Sequence, residues 1–273
     1  MADNATQALA SSLLTAPLLC DQIAGNAAFD RNQLQLESVP LDLSRLNFQQ
    51  KLGHLYEDSL RQLLQRSPRF DLLASHLQVF DAEQRTIGEL DYLLRERASG
   101  KCIQLELAVK FYLALPLEHG WHYPGPNPID NWSRKYHRLD SHQLTLCQRP
   151  EAQALLRQRY QVDSIDAQHL IYGVIFRPLN AANAPLPDTV NPQCRQGSWL
   201  YCREWDQHFS QIEHVWLIPK ALWPVDFKQQ DRVLLTQISA DDLRKQAQQR
   251  ALLFQHPDDQ RPCFIMPDCW PRM

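Results

Sequence analysis

Gly88-Glu89-Leu90-Asp91 and, after a turn, Glu106-Leu107-Ala108-Val109-Lys110 decide how this chain is read. Thr86 to Leu94 and Lys101 to Tyr112 have the pattern of two strands in a hairpin around Ser99-Gly100, a dipeptide that marks turns. Successive side chains of a strand face opposite sides. In the second strand Ile103, Leu105, Leu107, Val109 and Phe111 face one way, and Gln104, Glu106, Ala108 and Lys110 the other. Glu106 therefore belongs to a face with polar company rather than to the apolar layer. If Ser99-Gly100 is a two-residue loop, Asp91 falls opposite Ala108; a longer loop sets it opposite Glu106. Either register puts Asp91 and Glu106 on one face, as a direct pair at ~5 Å or a diagonal pair at ~7–8 Å. Two carboxylates that close repel, and one pKa rises unless a cation lies between them. Lys110 and a divalent metal are the cations on offer. A divalent ion held by carboxylates on adjacent strands is the basic apparatus of phosphodiester hydrolysis.

The flanking sequence supplies the other elements. Ser44 to Arg66 reads as an amphipathic helix, with Leu52, Leu55, Tyr56, Leu60, Leu63 and Leu64 recurring at three and four residues, stopped by Ser67-Pro68. Gly53 inside it predicts a close approach to a strand, and Glu57 follows one turn on, beside the apolar stripe. His76 to Asp81 reads as the first strand. Residues 116–128 form a loop, because Pro124-Gly125-Pro126-Asn127-Pro128 suits neither helix nor central strand. Asp130 can cap a helix over about 131–148, whose Arg134, Arg138 and His142, with Lys135 adjacent, make a basic ridge. A solvated charged face is the commoner fate of such residues. A second helix over 150–161 and a buried strand over 170–177 follow. The Asn- and Pro-rich stretch 180–197 is the best boundary. Beyond it come strands over 198–205 and 214–219, a helix over 238–254 capped by Ser239, and a last strand over 263–266. Residues 1–40 predict short helices packed on the main body. Trp199, Trp205 and Trp216 are spaced like core residues.

Composition sets limits. The 273 residues carry a net charge of −3, so any surface for nucleic acid has to be local. Seven cysteines, an odd number with no C-x-x-C pair, point to reduced thiols in a cytoplasmic protein with no disulfide-linked partner. No apolar run reaches the ~20 residues of a membrane span. The stretch 11–20 lacks the basic lead of a signal peptide. The histidines show no zinc spacing, and there is no P-loop, dinucleotide fingerprint or nucleophile elbow.

The runs GELDYLL (88–94), ELAVKFYLAL (106–115) and GPNPIDNWSRKYHRL (125–139) are similar, with most of the chain, to a bacterial family known as domain of unknown function 1853. The acidic residue on one strand and the glutamate followed by a lysine on the next resemble motifs II and III of the PD-(D/E)XK nucleases, over roughly residues 46–177. That resemblance implies an α/β fold with a restriction-endonuclease-like core of helix, three strands, helix and strand. It implies a mixed central sheet with extra C-terminal strands and a helix. The chain then divides into an N-terminal helical extension (1–45), the core (46–180) and a C-terminal extension of the same domain (181–273). It also implies a magnesium- or manganese-dependent phosphodiesterase acting on DNA or RNA. Glu57, Asp91 and Glu106 would hold the metal. Asp91, Glu106 and Lys110 would be catalytic, and Arg134, Lys135, Arg138 and His142 would meet nucleic acid. The sequence departs from E-x-K at one point: Ala108 stands at the lysine position, and Lys110 lies ~13 Å along the strand from Glu106. Three alternatives follow. Lys110 bends back over the small Ala108; or the domain is degenerate and binds nucleic acid or a protein partner without cleaving; or the polar hairpin face of an ordinary α/β scaffold is merely solvated, with Lys110 paired to Glu89.

Overall fold

A computed structural model describes residues 2–36, 46–227 and 229–272. Its centre is a mixed sheet of nine strands. In chain order these are β1 (Phe70–Phe80), β2 (Thr86–Glu96), β3 (Cys102–Leu113), β4 (Ile165–Pro178), β5 (Arg195–Tyr201), β6 (His214–Ile218), β7 (Thr236–Ser239), β8 (Leu252–His256) and β9 (Asp259–Met266). In space they run β7-β6-β8-β9-β5-β4-β3-β2-β1. Strands β3, β4, β5 and β9 are mutually parallel neighbours, and the pairs outside them are antiparallel. The longest register, Cys102↔Ile165 to Leu113↔Phe176, joins β3 to β4. Both strands are buried along most of their length, as parallel strands covered on two faces must be.

Helices α1 (Ala2–Thr15) and α2 (Leu52–Arg66) cover one face. There Leu55, Tyr56 and Leu60 meet Tyr92, Leu105 and Tyr172. On the other face lie α3 (Trp132–Arg138) and α4 (Pro150–Tyr160), where Trp132, Leu139 and Leu156 meet Ala108, Ile171 and Ile175. Helices α5 (Trp205–Phe209) and α6 (Ala240–Ala247) cover the C-terminal strands through Trp205 and Leu243. No helix of the described residues is long and apolar enough to cross a membrane. All seven cysteines are free, and only Cys269 is exposed.

Several elements differ from the expectations. The first part of the predicted 44–66 helix falls partly outside the described residues, and α2 begins at Leu52. Gly53 is exposed rather than pressed on a strand; a Cβ there would meet only Glu57 Oε1, at 3.8 Å. β1 starts at Phe70, six residues ahead of its predicted start at His76. The N-terminal residues form one long helix, a two-stranded ribbon (Gln22–Ile23 with Asn26–Ala27) and a short 3-10 turn. The loop 116–128 contains a second small ribbon, Leu115–Leu117 with Gly120–His122. The strand predicted over 198–205 ends at Tyr201, and Trp205 opens α5. The largest departure is the predicted 238–254 helix. It divides into β7, α6 and β8, because Leu252 and Phe254 pack on one face of the sheet while Leu253 packs on the other. A helix would bury one side of that run; a strand between β6 and β9 buries both.

Candidate active site

The hairpin closes through four residues rather than two. Glu96 N–H donates to Lys101 O (2.8 Å), and Gly100, at φ 71°, donates to Glu96 O (2.8 Å). This sets Arg95 opposite Cys102 and Tyr92 opposite Leu105, the last ladder pair. One step further the same register faces Asp91 to Glu106, and there the strands part. The Leu107 N–H, left without a strand partner on that side, donates to Asp91 Oδ2 at 2.8 Å. A carboxylate bound to a strand N–H lies near the plane of the sheet. The alternation of β2 slips at the same place: Leu90 packs with the α3 side and Tyr92 with the α2 side. Across from the slip, on β1, His76 adopts φ 52°, a left-handed conformation uncommon for a non-glycine residue, between the ladder pairs Ser75↔Tyr92 and Leu77↔Leu90.

Glu106 is only 1% exposed, and the face expected to stand apart from the apolar layer is itself covered by the α3–α4 core. Its Oε1 accepts a hydrogen bond from Gln143 Nε2, whereas its Oε2 is buried without a partner. Lys135 Nζ donates to Gln143 Oε1 (2.8 Å) and lies 4.0 Å from Glu106 Oε1. Gln143 reaches both because the chain after α3 winds into a π turn, Leu139–Gln143, a form that recurs at functional sites. Gln104 Nε2 holds that turn through Gln143 O (2.7 Å). The electrostatics follow from this burial. Desolvation, Glu57 and Glu89 push the Asp91 carboxyl up to about 6, against the Leu107 N–H and Lys135. Desolvation and then Asp91 push Glu106 well above the carboxylate range. Desolvation lowers Lys135, and Lys110 adds to that effect while Glu106 opposes it.

The other expected residues are placed as follows. Lys110 makes an ion pair with Asp130 Oδ2 at 2.7 Å, so the pairing with Glu89 is not formed; Glu89 takes His76 Nδ1 instead (3.1 Å). Asp130 therefore does not cap α3; Asn131 does, accepting from Arg134 N (2.9 Å). Glu57 is bonded to His54 (3.0 Å), lies 4.0 Å from His76, and its charge raises the Asp91 carboxyl. Among the described residues no three His, Cys, Asp or Glu side chains converge closely enough to hold a metal ion, so the three-carboxylate arrangement is not assembled. The basic ridge divides. Arg134, donating to Ile129 O (2.8 Å), and Arg138 are exposed; Lys135 turns inward; the buried His142 Nδ1 has no partner.

Gln143 escaped the sequence reading, and Lys135 was read only as part of the basic ridge, not as a partner of Glu106. Gln143 carries no signal, since a π turn has none. Lys135 carries one: Trp132, Lys135, Tyr136 and Leu139 occupy the inward positions of one helix face, with a lysine where an apolar residue is expected. His169 is a third buried polar group on this face. It lies beside Glu106 in the β3–β4 register, is fully buried, and is pushed down to about 4 by desolvation, against the Asn26 backbone, hence neutral.

Gly88 holds the covering segment close to β2. A Cβ there would come within 2.6 Å of Leu146 Cδ2 and 3.3 Å of His142 Cε1. Gly88→Ala is expected to destabilise the protein by ~1–3 kcal/mol, as overpacked cores do. Chemical denaturation with an unchanged slope checks this.

The structure is thus an α/β chain with a buried glutamate, a half-buried aspartate and a lysine at a fork between strands. Residues 6–263 match the family described as domain of unknown function (DUF1853), and the chain belongs to that family. Comparison with curated proteins finds no match, and comparison with solved structures finds none.

Proposed function

We propose that this chain is a magnesium-dependent phosphodiesterase of the PD-(D/E)XK type, acting on DNA or RNA, whose lysine comes from helix α3. The observation that carries this reading is the meeting of Asp91, Glu106 and Lys135 where β2 and β3 part. The chain order α2, β1, β2, β3, α3–α4, β4, with β4 parallel to β3, is the order a restriction-endonuclease-like core requires, and it supports the reading.

The residues fit magnesium. Mg²⁺ takes oxygen ligands and usually only one or two carboxylates, with waters and substrate phosphate completing its shell. Asp91 and Glu106 are such a pair, and the orphaned Glu106 Oε2 is a buried acceptor without a donor. When bound, the ion would supply charge neutralisation at the phosphate and a more acidic water. The chain's own groups do the rest. Asp91 is fixed by Leu107 N–H and Glu106 by Gln143, and the Lys135 ammonium, 4.0 Å from Glu106 Oε1, would meet the charge that develops on a phosphoryl oxygen. Lys110 is a second cation near enough to depress Lys135. Exposed Arg134 and Arg138 on the same covering segment would carry the flanking phosphates.

Glu106 at 1% exposure favours the second reading, a nuclease-like domain that binds nucleic acid or a protein without cleaving it, because the covering segment closes over the carboxylate. Labelled single- and double-stranded DNA and RNA, incubated with wild type and Asp91→Asn in magnesium or in chelator, separate the two. Cleavage that needs both magnesium and Asp91 is expected. Binding without cleavage in every condition selects the second reading.

A further inference from the structure

A second site lies at the carboxyl end of β4, eight residues past His169 and so about 26 Å along the strand from the carboxylate fork. It is a cavity of about 500 Å³, within the range of small-molecule sites. Its floor is set by strand register. Arg177 on β4 lies beside Ser198 on β5, which lies beside Cys263 on β9, so parallel pairing lines the three up across one face. Leu179, from the chain leaving β4, and Phe209, from α5, form apolar walls, and His256 closes one side.

Arg177 is the unusual group. Its side chain makes no hydrogen bond or ion pair with any described residue, and its Nε is buried with no partner. A guanidinium presents a planar fork of donors matched to a carboxylate or a phosphate, and leaving it unmatched in a partly buried place is costly. The nearby acids do not serve it. Asp259 is held by Arg261 at 2.7 Å, and Asp258 stands out in solvent, 89% exposed. His256 Nδ1 accepts from Asp258 N (3.0 Å), which leaves the neutral ring with a proton on Nε2 as a further donor. Burial pushes the Cys263 thiol up to about 12, so the floor carries no thiolate to repel an anion.

We propose that this cavity binds a small organic anion, a carboxylate or a phosphate monoester on an apolar body, with Arg177 clamping the anion and Leu179 and Phe209 receiving the body. The proposal is independent of the fork. Isothermal titration and thermal melting of the full chain with benzoate, phenyl phosphate, inorganic phosphate and neutral benzamide test it. Benzoate or phenyl phosphate is expected to bind and to raise the melting temperature, and the stronger of the two names the anion. Benzamide and inorganic phosphate, each lacking one half of the ligand, are expected to bind more weakly. Arg177→Met, which keeps the apolar stem, should weaken binding at least about tenfold, while Glu106→Gln leaves it unchanged. Without ligand, Arg177→Met should melt no lower than wild type, because an unmatched guanidinium is removed. The proposal is overturned if neither organic anion binds, if benzamide or inorganic phosphate binds as well, if Arg177→Met binds like wild type, or if it melts lower without ligand.

Discussion

In chelator at pH 7.5, Glu106→Gln is expected to melt at or above wild type, and in magnesium the order is expected to reverse. The first half follows from burial. Glu106 Oε2 has no donor, and Asp91 repels the carboxylate; an amide of the same shape removes that repulsion and can still accept from Gln143. The second half follows from linkage. A ligand that binds only the folded state at a hundred times its dissociation constant stabilises it by ~2.7 kcal/mol. At ~2–4 °C per kcal/mol for a chain of this size, wild type should rise by roughly 5–10 °C. The variant, with one carboxylate left, should not move. Differential scanning calorimetry with and without magnesium reads both halves. Equal magnesium responses for the two proteins would remove Glu106 from any cation site.

The pH dependence of the ligand-free protein carries the next largest effect. Asp91 is raised from 3.8 to about 6, chiefly by desolvation. The folded protein therefore holds this proton over a range where the unfolded chain has already released it. For a carboxyl raised in the folded state, the contribution is fully present below about pH 4 and is lost as pH rises through about 6. Its size is on the order of 3 kcal/mol. Asp58 and Asp259 are lowered and act in the opposite sense at lower pH, so the informative quantity is a difference. The stability of wild type minus that of Asp91→Asn should fall between pH 4 and pH 7. Magnesium affinity should rise over the same interval, because the ion requires the ionised carboxyl. A difference that is flat with pH would show that Asp91 is not desolvated as described.

Much of this was legible in sequence because β3 alternates without a break, and alternation fixes which residues share a face. That argument placed Asp91 and Glu106 together. The direct register was not fixed, because it depends on how the turn closes, and Gly100 in a left-handed conformation makes a four-residue closure. The slip at Asp91 was invisible for a related reason: it lies across from His76, which is left-handed without any local turn signal. Lys110 was read as the site lysine because it follows Glu106 on the same face of β3, and Lys135 was read as part of a basic ridge. The helix that folds back over the sheet brings Lys135 in from sequence-distant positions, while Asp130 takes Lys110 away. The β7–α6–β8 segment was misread as helix because its short runs fit either period.

The claim that Lys135 completes a phosphodiester-cleaving site is tested most directly by single-turnover cleavage. Wild type, Lys135→Met and Lys110→Met would be compared on the best labelled substrate in magnesium. Loss of one preorganised charge at the reacting phosphate lowers the rate on the order of a hundred- to a thousandfold, so Lys135→Met is expected to fall by that much while keeping the magnesium-linked rise in melting. Lys110→Met is expected to lose less. Cleavage by Lys135→Met at the wild-type rate would contradict the account.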